Sequence, residues 1–150
     1  MEISRCINCG KEIHPKASTR GKYCSNKCQL EYQYKTYISK WKLGIVQGTK
    51  AGITYSGYIR RYLFEKYNSK CCKCGWGEVN PFTNRIPLQI HHIDGDSTNN
   101  KEDNLQLLCP NCHSLTENFG SRNKNATEGR SKYYGKAKGW LAQLHRAGNS

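Results

Sequence analysis

Residues 29–43, QLEYQYKTYISKWKL, place Leu30, Tyr34, Tyr37, Ile38 and Trp41 at helical spacing on one face, with Lys35, Lys40 and Lys42 largely elsewhere. The spacing predicts a helix. Gly44, Gly48 and Gly52 then break the pattern into a loop. Ser56 is placed to cap a second helix, SGYIRRYLFEKY, in which Ile59, Leu63 and Phe64 share a face. Further on, LQIHHI (88–93) alternates as a strand does, DGDSTNNKED (94–103) has loop composition, and NLQLL (104–108) reads as a second strand. CPNCHSLTENF (109–119) opens another helix, with Pro110 suited to its first turn. The order is strand, loop, strand, helix. Beyond Phe119 the chain turns polar, basic and glycine-rich, a composition that predicts mobility until a partner orders it, with at most a turn of helix at WLAQL.

This pattern divides the chain into a cysteine unit (1–30), a helical linker (31–55), a small α+β core (56–122) and a basic tail (123–150). Hydrophobic residues are only 36% of the 150, too few for one large apolar core. No apolar run approaches the ~20 residues of a membrane-spanning helix. The opening MEISRCINCG lacks the apolar stretch of a secretory signal, so the expected location is the cytoplasm. There, nine cysteines are expected as thiolates on metal rather than as disulfides.

Their spacing supports that expectation. Zinc takes a tetrahedral set of thiolates, and a C-x-x-C turn supplies two of them from one short loop. Cys71 and Cys74 pair with Cys109 and Cys112, while Cys6 and Cys9 pair with Cys24 and Cys28. Two structural zinc ions are therefore expected, each closed by four thiolates and stapling a chain poor in aliphatic residues. Cys72 is left over as a spare thiol, and His14 is more simply a loop residue than a fifth ligand.

Charge adds a partner. Residues 1–70 carry 14 basic and 4 acidic side chains (+10), residues 71–119 carry 3 and 6 (−3), and residues 120–150 carry 7 and 1 (+6). Two zinc-thiolate sites would lower the net +13 only to about +9. Basic flanks around an acidic centre suit a polyanion held by its backbone and touched at one point. Tyr32, Tyr34, Tyr37, Trp41, Tyr55, Tyr58, Tyr62, Tyr133 and Tyr134 interleave with the cations. They can stack on bases, although core packing is the simpler role for Tyr34, Tyr58 and Tyr62.

The candidate chemistry lies in the core. Adjacent side chains on a strand point to opposite faces, so His91 and His92 can do different jobs. One can face a metal held with His113 from the following helix while the other faces a substrate. The pattern H-H-I-D-G-D, then N-N, then N-L-x-x-L-C-x-x-C-H-x-x-T resembles the HNH nuclease family, with its ββα-metal motif in the cysteine-bracketed form, over about residues 56–125. The N-terminal cysteine unit lies outside the resemblance.

The resemblance implies a small zinc-stabilised α+β fold with a ββα-metal core; the cysteine spacing and the helical pattern set the N-terminal zinc unit and the helical linker before it. It implies that His92 is the general base and that His91 and His113 are ligands of one catalytic divalent ion (Mg²⁺, Mn²⁺, Ni²⁺ or Zn²⁺). Asn104 would brace the loop and hold His92 in place. Double-stranded DNA is the implied partner, with no membrane and no small-molecule substrate, and the organisation is similar to that of free-standing, homing-type phage endonucleases. The chemistry agrees: an imidazole near its ordinary pKa accepts a proton from water at neutral pH, and one divalent ion reaches both the non-bridging and the leaving oxygen. Asp94 and Asp96 are read as a turn rather than as ligands, and Arg60, Arg61 and Arg85 are phosphate-clamp candidates. A non-catalytic zinc-dependent DNA binder and an RNase or toxin are the competing classes; the first has no use for His91, His92 and His113 together.

Overall fold

The structure, a computed structural model, describes residues 4–13, 21–50 and 54–123. His14, Tyr133, Tyr134, the WLAQL segment and nearly all of the basic tail lie outside the described residues. The chain divides into two compact units, Met1–Gly48 and Thr49–Ser150. The segment 31–55, expected as a linker, is thus shared between them.

The first unit opens with a tight turn across Cys6–Gly10, closed by the Gly10 N–H on the Cys6 carbonyl (2.8 Å) and flanked by an antiparallel bridge between Arg5 and Glu12. Helix α1 spans Asn26–Lys42. It begins earlier than its apolar spacing predicts, because Ser25 Oγ accepts the Cys28 N–H (3.2 Å) and caps it ahead of the first apolar residue. Tyr34, Ile38 and Trp41 are buried on one face, while Leu30 is 60% exposed, so the buried stripe starts a turn later than expected.

The second unit starts with a short antiparallel hairpin, β1 (Thr49–Lys50) and β2 (Thr54–Tyr55), where the glycines predict only a loop. Two-residue strands are too short to register as a periodicity. Helix α2 (Gly57–Lys66) follows its cap at Ser56, whose Oγ accepts the Ile59 N–H, and buries Ile59 and Leu63 completely. Strands β3 (Gln89–His92) and β4 (Leu105–Leu108) pair antiparallel, with Ile90 opposite Leu107, His91 opposite Gln106 and His92 opposite Leu105. Helix α2 packs on β4, and helix α3 (Pro110–Ser114) packs on both strands. Leu105, Leu107 and Leu108 are essentially inaccessible, so β4 is the spine of this small core.

Helix α3 is shorter than the stretch 109–119 predicts. Its last carbonyls are taken by other donors: Thr116 Oγ1 bonds the His113 carbonyl (2.8 Å) and an Arg122 N–H bonds that of Ser114 (2.8 Å). These bonds end the helix in a turn. No helix among the described residues is long and apolar enough to cross a membrane.

Candidate active site and metal centres

The two cysteine sets are built alike. Each begins C-x-x-C-G, and in each the glycine N–H closes the turn on the carbonyl of the first cysteine (Gly10 on Cys6, Gly75 on Cys71, both 2.8 Å). Gly10 and Gly75 sit at φ of +72° and +74°, the left-handed region that glycine enters without strain. In each, the second cysteine pair straddles a helix start. Cys28 lies in the first turn of α1, while Cys109 caps α3 and its sulfur accepts the Cys112 N–H.

Within each set the four sulfurs lie within 4.8 Å of one another. Individual separations are 3.4 Å for Cys24–Cys28, 3.7 Å for Cys9–Cys24 and Cys9–Cys28, and 3.8 Å for Cys74–Cys109. None is a disulfide. A tetrahedron with Zn–S of about 2.3 Å has edges of about 3.8 Å, so the donor sets fit zinc. Their ionisation says the same. Burial works upward on the Cys6 thiol, but the backbone N–H groups of Cys24, Cys9 and Asn8 outweigh it and bring it to about 6. Cys71 reaches about 6 through the N–H groups of Cys109, Cys74 and Lys73, again against burial. One other member of each set is driven up to about 12, Cys24 chiefly by the Cys28 sulfur and Cys112 chiefly by that of Cys74. Thiolates crowded this closely become compatible only around a cation. Cys72 stands apart from the cluster, exposed, with its backbone N–H on the Leu107 carbonyl.

The cysteine set of the second unit also fixes His113. Because Cys109 and Cys112 anchor the start of α3, the next residue is aimed at strand β3. There the His113 ring meets the His91 ring edge-on, centroids 5.2 Å apart, and the Phe119 ring also packs edge-on against it at 5.4 Å. His113 Nδ1 is hydrogen-bonded to Gln89 Oε1, two residues before His91 on the same face of the strand. With the amide oxygen facing the ring, Nδ1 would be the donor and Nε2 would carry the lone pair. His91 is buried, and burial, helped by the neighbouring His113, His92 and Lys73, holds its pKa below the usual imidazole range. It is therefore neutral at pH 7, the form that binds metal. His91 and His113 are thus neighbouring imidazoles, a pair that could hold a divalent ion.

His92 points elsewhere. Its Nε2 lies 2.9 Å from Oδ1 of Asn100, a residue only 2% exposed. The loop between the strands is held by amides. Asn104, on the 3₁₀ turn Glu102–Asn104, accepts the Asp94 N–H (3.0 Å) and donates to the Asp94 carboxylate (2.8 Å) and the Asn99 carbonyl (2.8 Å). The second carboxylate oxygen of Asp94 takes the Asn99 amide at 2.6 Å. Burial would raise the Asp94 pKa, but the Asn104 and Asn99 amides, the Asp96 N–H and the nearby His92 outweigh it and hold it low. Asp94 thus serves the loop, while Asp96 caps its own turn by accepting the Thr98 N–H and hydroxyl. From outside, Asn118 and Asn123 donate to the Ile93 and Gly95 carbonyls at 2.9 and 2.8 Å. Helix α2 reaches the same loop through Glu102, which accepts from the Tyr62 hydroxyl (2.5 Å) and Lys66 (2.7 Å).

The structure thus brings His91 and His113 together, sets His92 on Asn100 and places Asn104 at the centre of the loop. Sequence reasoning missed Gln89, Asn100, Asn118 and Asn123. Gln89 had a usable signal, its position two before His91 on a strand; Asn100 read only as loop composition, Asn118 as part of a helix and Asn123 as the start of the tail. Among the arginines, Arg61 pairs with Glu65 and Arg60 lies over the Phe64 ring, while Arg85 is exposed at the bridge with Asn80. Tyr34 and Trp41 are buried, and Tyr58 and Tyr62 are half-buried.

Residues 71–119, the stretch that holds these histidines and the second cysteine set, match the family model described as HNH endonuclease. They form an HNH endonuclease domain. The H-N-H endonuclease F-TflIV of Escherichia phage T5 is 46% identical over 54 residues, 36% of this chain and 23% of that protein. The YajD HNH nuclease of Escherichia coli strain K12 is 43% identical over 60 residues, 39% of this chain and 50% of YajD. The Zorya protein ZorE of Escherichia coli is 28% identical over 120 residues, 75% of this chain and 32% of ZorE. The chain therefore spans half or less of the length of these relatives. No solved structure matches. The HNH domain accounts for the strand, loop, strand and helix with their cysteines; the N-terminal cysteine unit lies outside it.

Proposed function

We propose that the chain is a metal-dependent endonuclease that hydrolyses phosphodiester bonds of double-stranded DNA, acting in the cytoplasm. The observation that carries this reading is the edge-on pair His91 and His113, with Gln89 hydrogen-bonded to His113 Nδ1. A divalent ion held there would neutralise charge on the phosphoryl oxygens and stabilise the leaving alkoxide. His92, on the opposite face of β3, takes a proton from the attacking water. Asn104 and Asp94 hold the loop that positions it. The two cysteine sets keep zinc in closed, structural sites with no position for a substrate.

A domain this small grips little DNA alone, so the grip is assigned to the N-terminal cysteine unit, α1 and the basic tail, which carry the excess positive charge. A homing-type, phage-encoded role fits this organisation, and the 46% identity to a phage protein supports it. The test is incubation of supercoiled plasmid with the purified full chain in Mg²⁺, Mn²⁺ or EDTA. Relaxed or linear product that depends on the divalent ion is expected. DNA retention without cleavage in any ion would instead make the chain a zinc-dependent binder. Cleavage confined to RNA would place it with RNases.

A further inference from the structure

We propose that Asn100 is a positioning residue for cleavage: its buried carboxamide fixes the His92 ring in one tautomer and one orientation, with the proton-accepting lone pair on Nδ1. The inference rests on the reading of His92 as the general base.

A carboxamide offers an acceptor on one side and donors on the other, so its orientation decides what it does to a neighbouring imidazole. Asn100 Nδ2 donates to the Thr98 carbonyl at 3.4 Å. Rotating the amide by a half-turn would set Oδ1 against that carbonyl, acceptor against acceptor, in a side chain only 2% exposed. The orientation is therefore fixed, and Oδ1 faces His92 Nε2 at 2.9 Å. An oxygen there accepts only, so Nε2 carries the proton and Nδ1 the lone pair. The Asn100 backbone is held too, with its N–H on the same Thr98 carbonyl at 3.1 Å.

His113 offers a parallel. Gln89 and Asn100 each present an amide oxygen to one nitrogen of a histidine, but to opposite ones. The His113 lone pair is thereby assigned to Nε2 and that of His92 to Nδ1. Two amides thus give two rings of the same chemistry opposite tautomers, one suited to a metal and the other to a water proton. Asn100 reaches none of the reacting atoms itself; it acts through His92.

Two measurements on the full chain test this. The first is the ¹⁵N spectrum of selectively labelled His92 in the zinc-loaded protein. Protonated Nε2 with a bare Nδ1 is expected; the opposite tautomer, or an averaged mixture, overturns the proposal. The second compares plasmid cleavage by Asn100→Asp, which keeps an acceptor toward Nε2, with Asn100→Leu, which has none. The leucine variant is expected to lose about 10–100-fold in kcat, the usual effect of removing a partner that orients a functional histidine, with little change in KM. The aspartate variant is expected to keep most of the rate. Equal rates for wild type and Asn100→Leu, or equal losses in both variants at unchanged zinc content, overturn the assignment. Wild type that cuts no DNA fails the nuclease reading instead, and the spectrum still decides the tautomer.

Discussion

Replacing Asn104 by alanine is the sharpest test of how the loop is held. The side chain is 8% exposed and makes three hydrogen bonds, accepting at 3.0 Å from the Asp94 N–H and donating at 2.8 Å to the Asp94 carboxylate and to the Asn99 carbonyl. A neutral hydrogen bond contributes about 1 kcal/mol net and one to a charged group about 1.5–3 kcal/mol, so the set corresponds to about 3–5 kcal/mol. Asp94 and Asn99 are half-exposed, and water reaching them after the substitution lowers the expected loss to about 2–4 kcal/mol. Urea denaturation at saturating zinc measures the loss. Plasmid cleavage at a temperature where the variant remains folded measures the effect on His92, and a fall intermediate between wild type and His92→Ala is expected. Asn104→Asp separates the amide's donors from its size: it sets a second carboxylate against Asp94, so it should be at least as unstable as alanine. A loss below about 0.5 kcal/mol for Asn104→Ala, or a stable aspartate variant, would refute the account of the loop as an amide-braced unit.

Other perturbations discriminate between the remaining parts. Metal analysis of protein purified without chelator should give two zinc ions per chain; Cys109→Ser should lose one and unfold the second unit, since structural zinc supplies about 10–16 kcal/mol of apparent folding free energy, while Cys72→Ser should be mild. A fully active Cys109→Ser protein lacking that zinc would dismiss the ligand set. His92→Ala should cut about 10²–10⁴-fold more slowly with folding and DNA binding retained, and added Mn²⁺ should not restore it. His91→Ala and His113→Ala should be partly restored by excess Mn²⁺, and the reverse pattern would exchange the roles of His91 and His92. Gly95→Ala should destabilise by at least about 1–2 kcal/mol, because φ is +77° and the added Cβ would lie 2.6 Å from the Asn123 amide oxygen. Unchanged thermal stability would show that the Asn118 and Asn123 contacts are not maintained in solution.

Much of the fold was legible because its signals are local. Ser56 announced α2, the alternation of LQIHHI announced β3, and Pro110 after a cysteine announced the start of α3. Each depends on a few neighbouring residues and on a periodicity that the chain itself carries. The β1–β2 hairpin was illegible because two-residue strands carry no period, and the early start of α1 because a serine cap precedes the first apolar position. The end of α3 was misjudged because the donors that take its last carbonyls come from Thr116 and Arg122, beyond the helix.

The sequence by itself determined which residues are the candidates for the chemistry. Cysteine spacing alone named both four-sulfur sets, since a C-x-x-C turn can hardly avoid offering two thiolates to one point, and strand alternation alone separated His91 from His92. What only the tertiary structure decided is how each ring is held. Gln89 meets His113 because the cysteine set docks α3 across β3, and Asn100 meets His92 because the loop folds back on itself around Asn104. A hydrogen bond depends on an approach within about 3 Å and on direction. Neither is encoded in the spacing of residues along the chain, so the partner of each histidine ring is set only once the fold has closed.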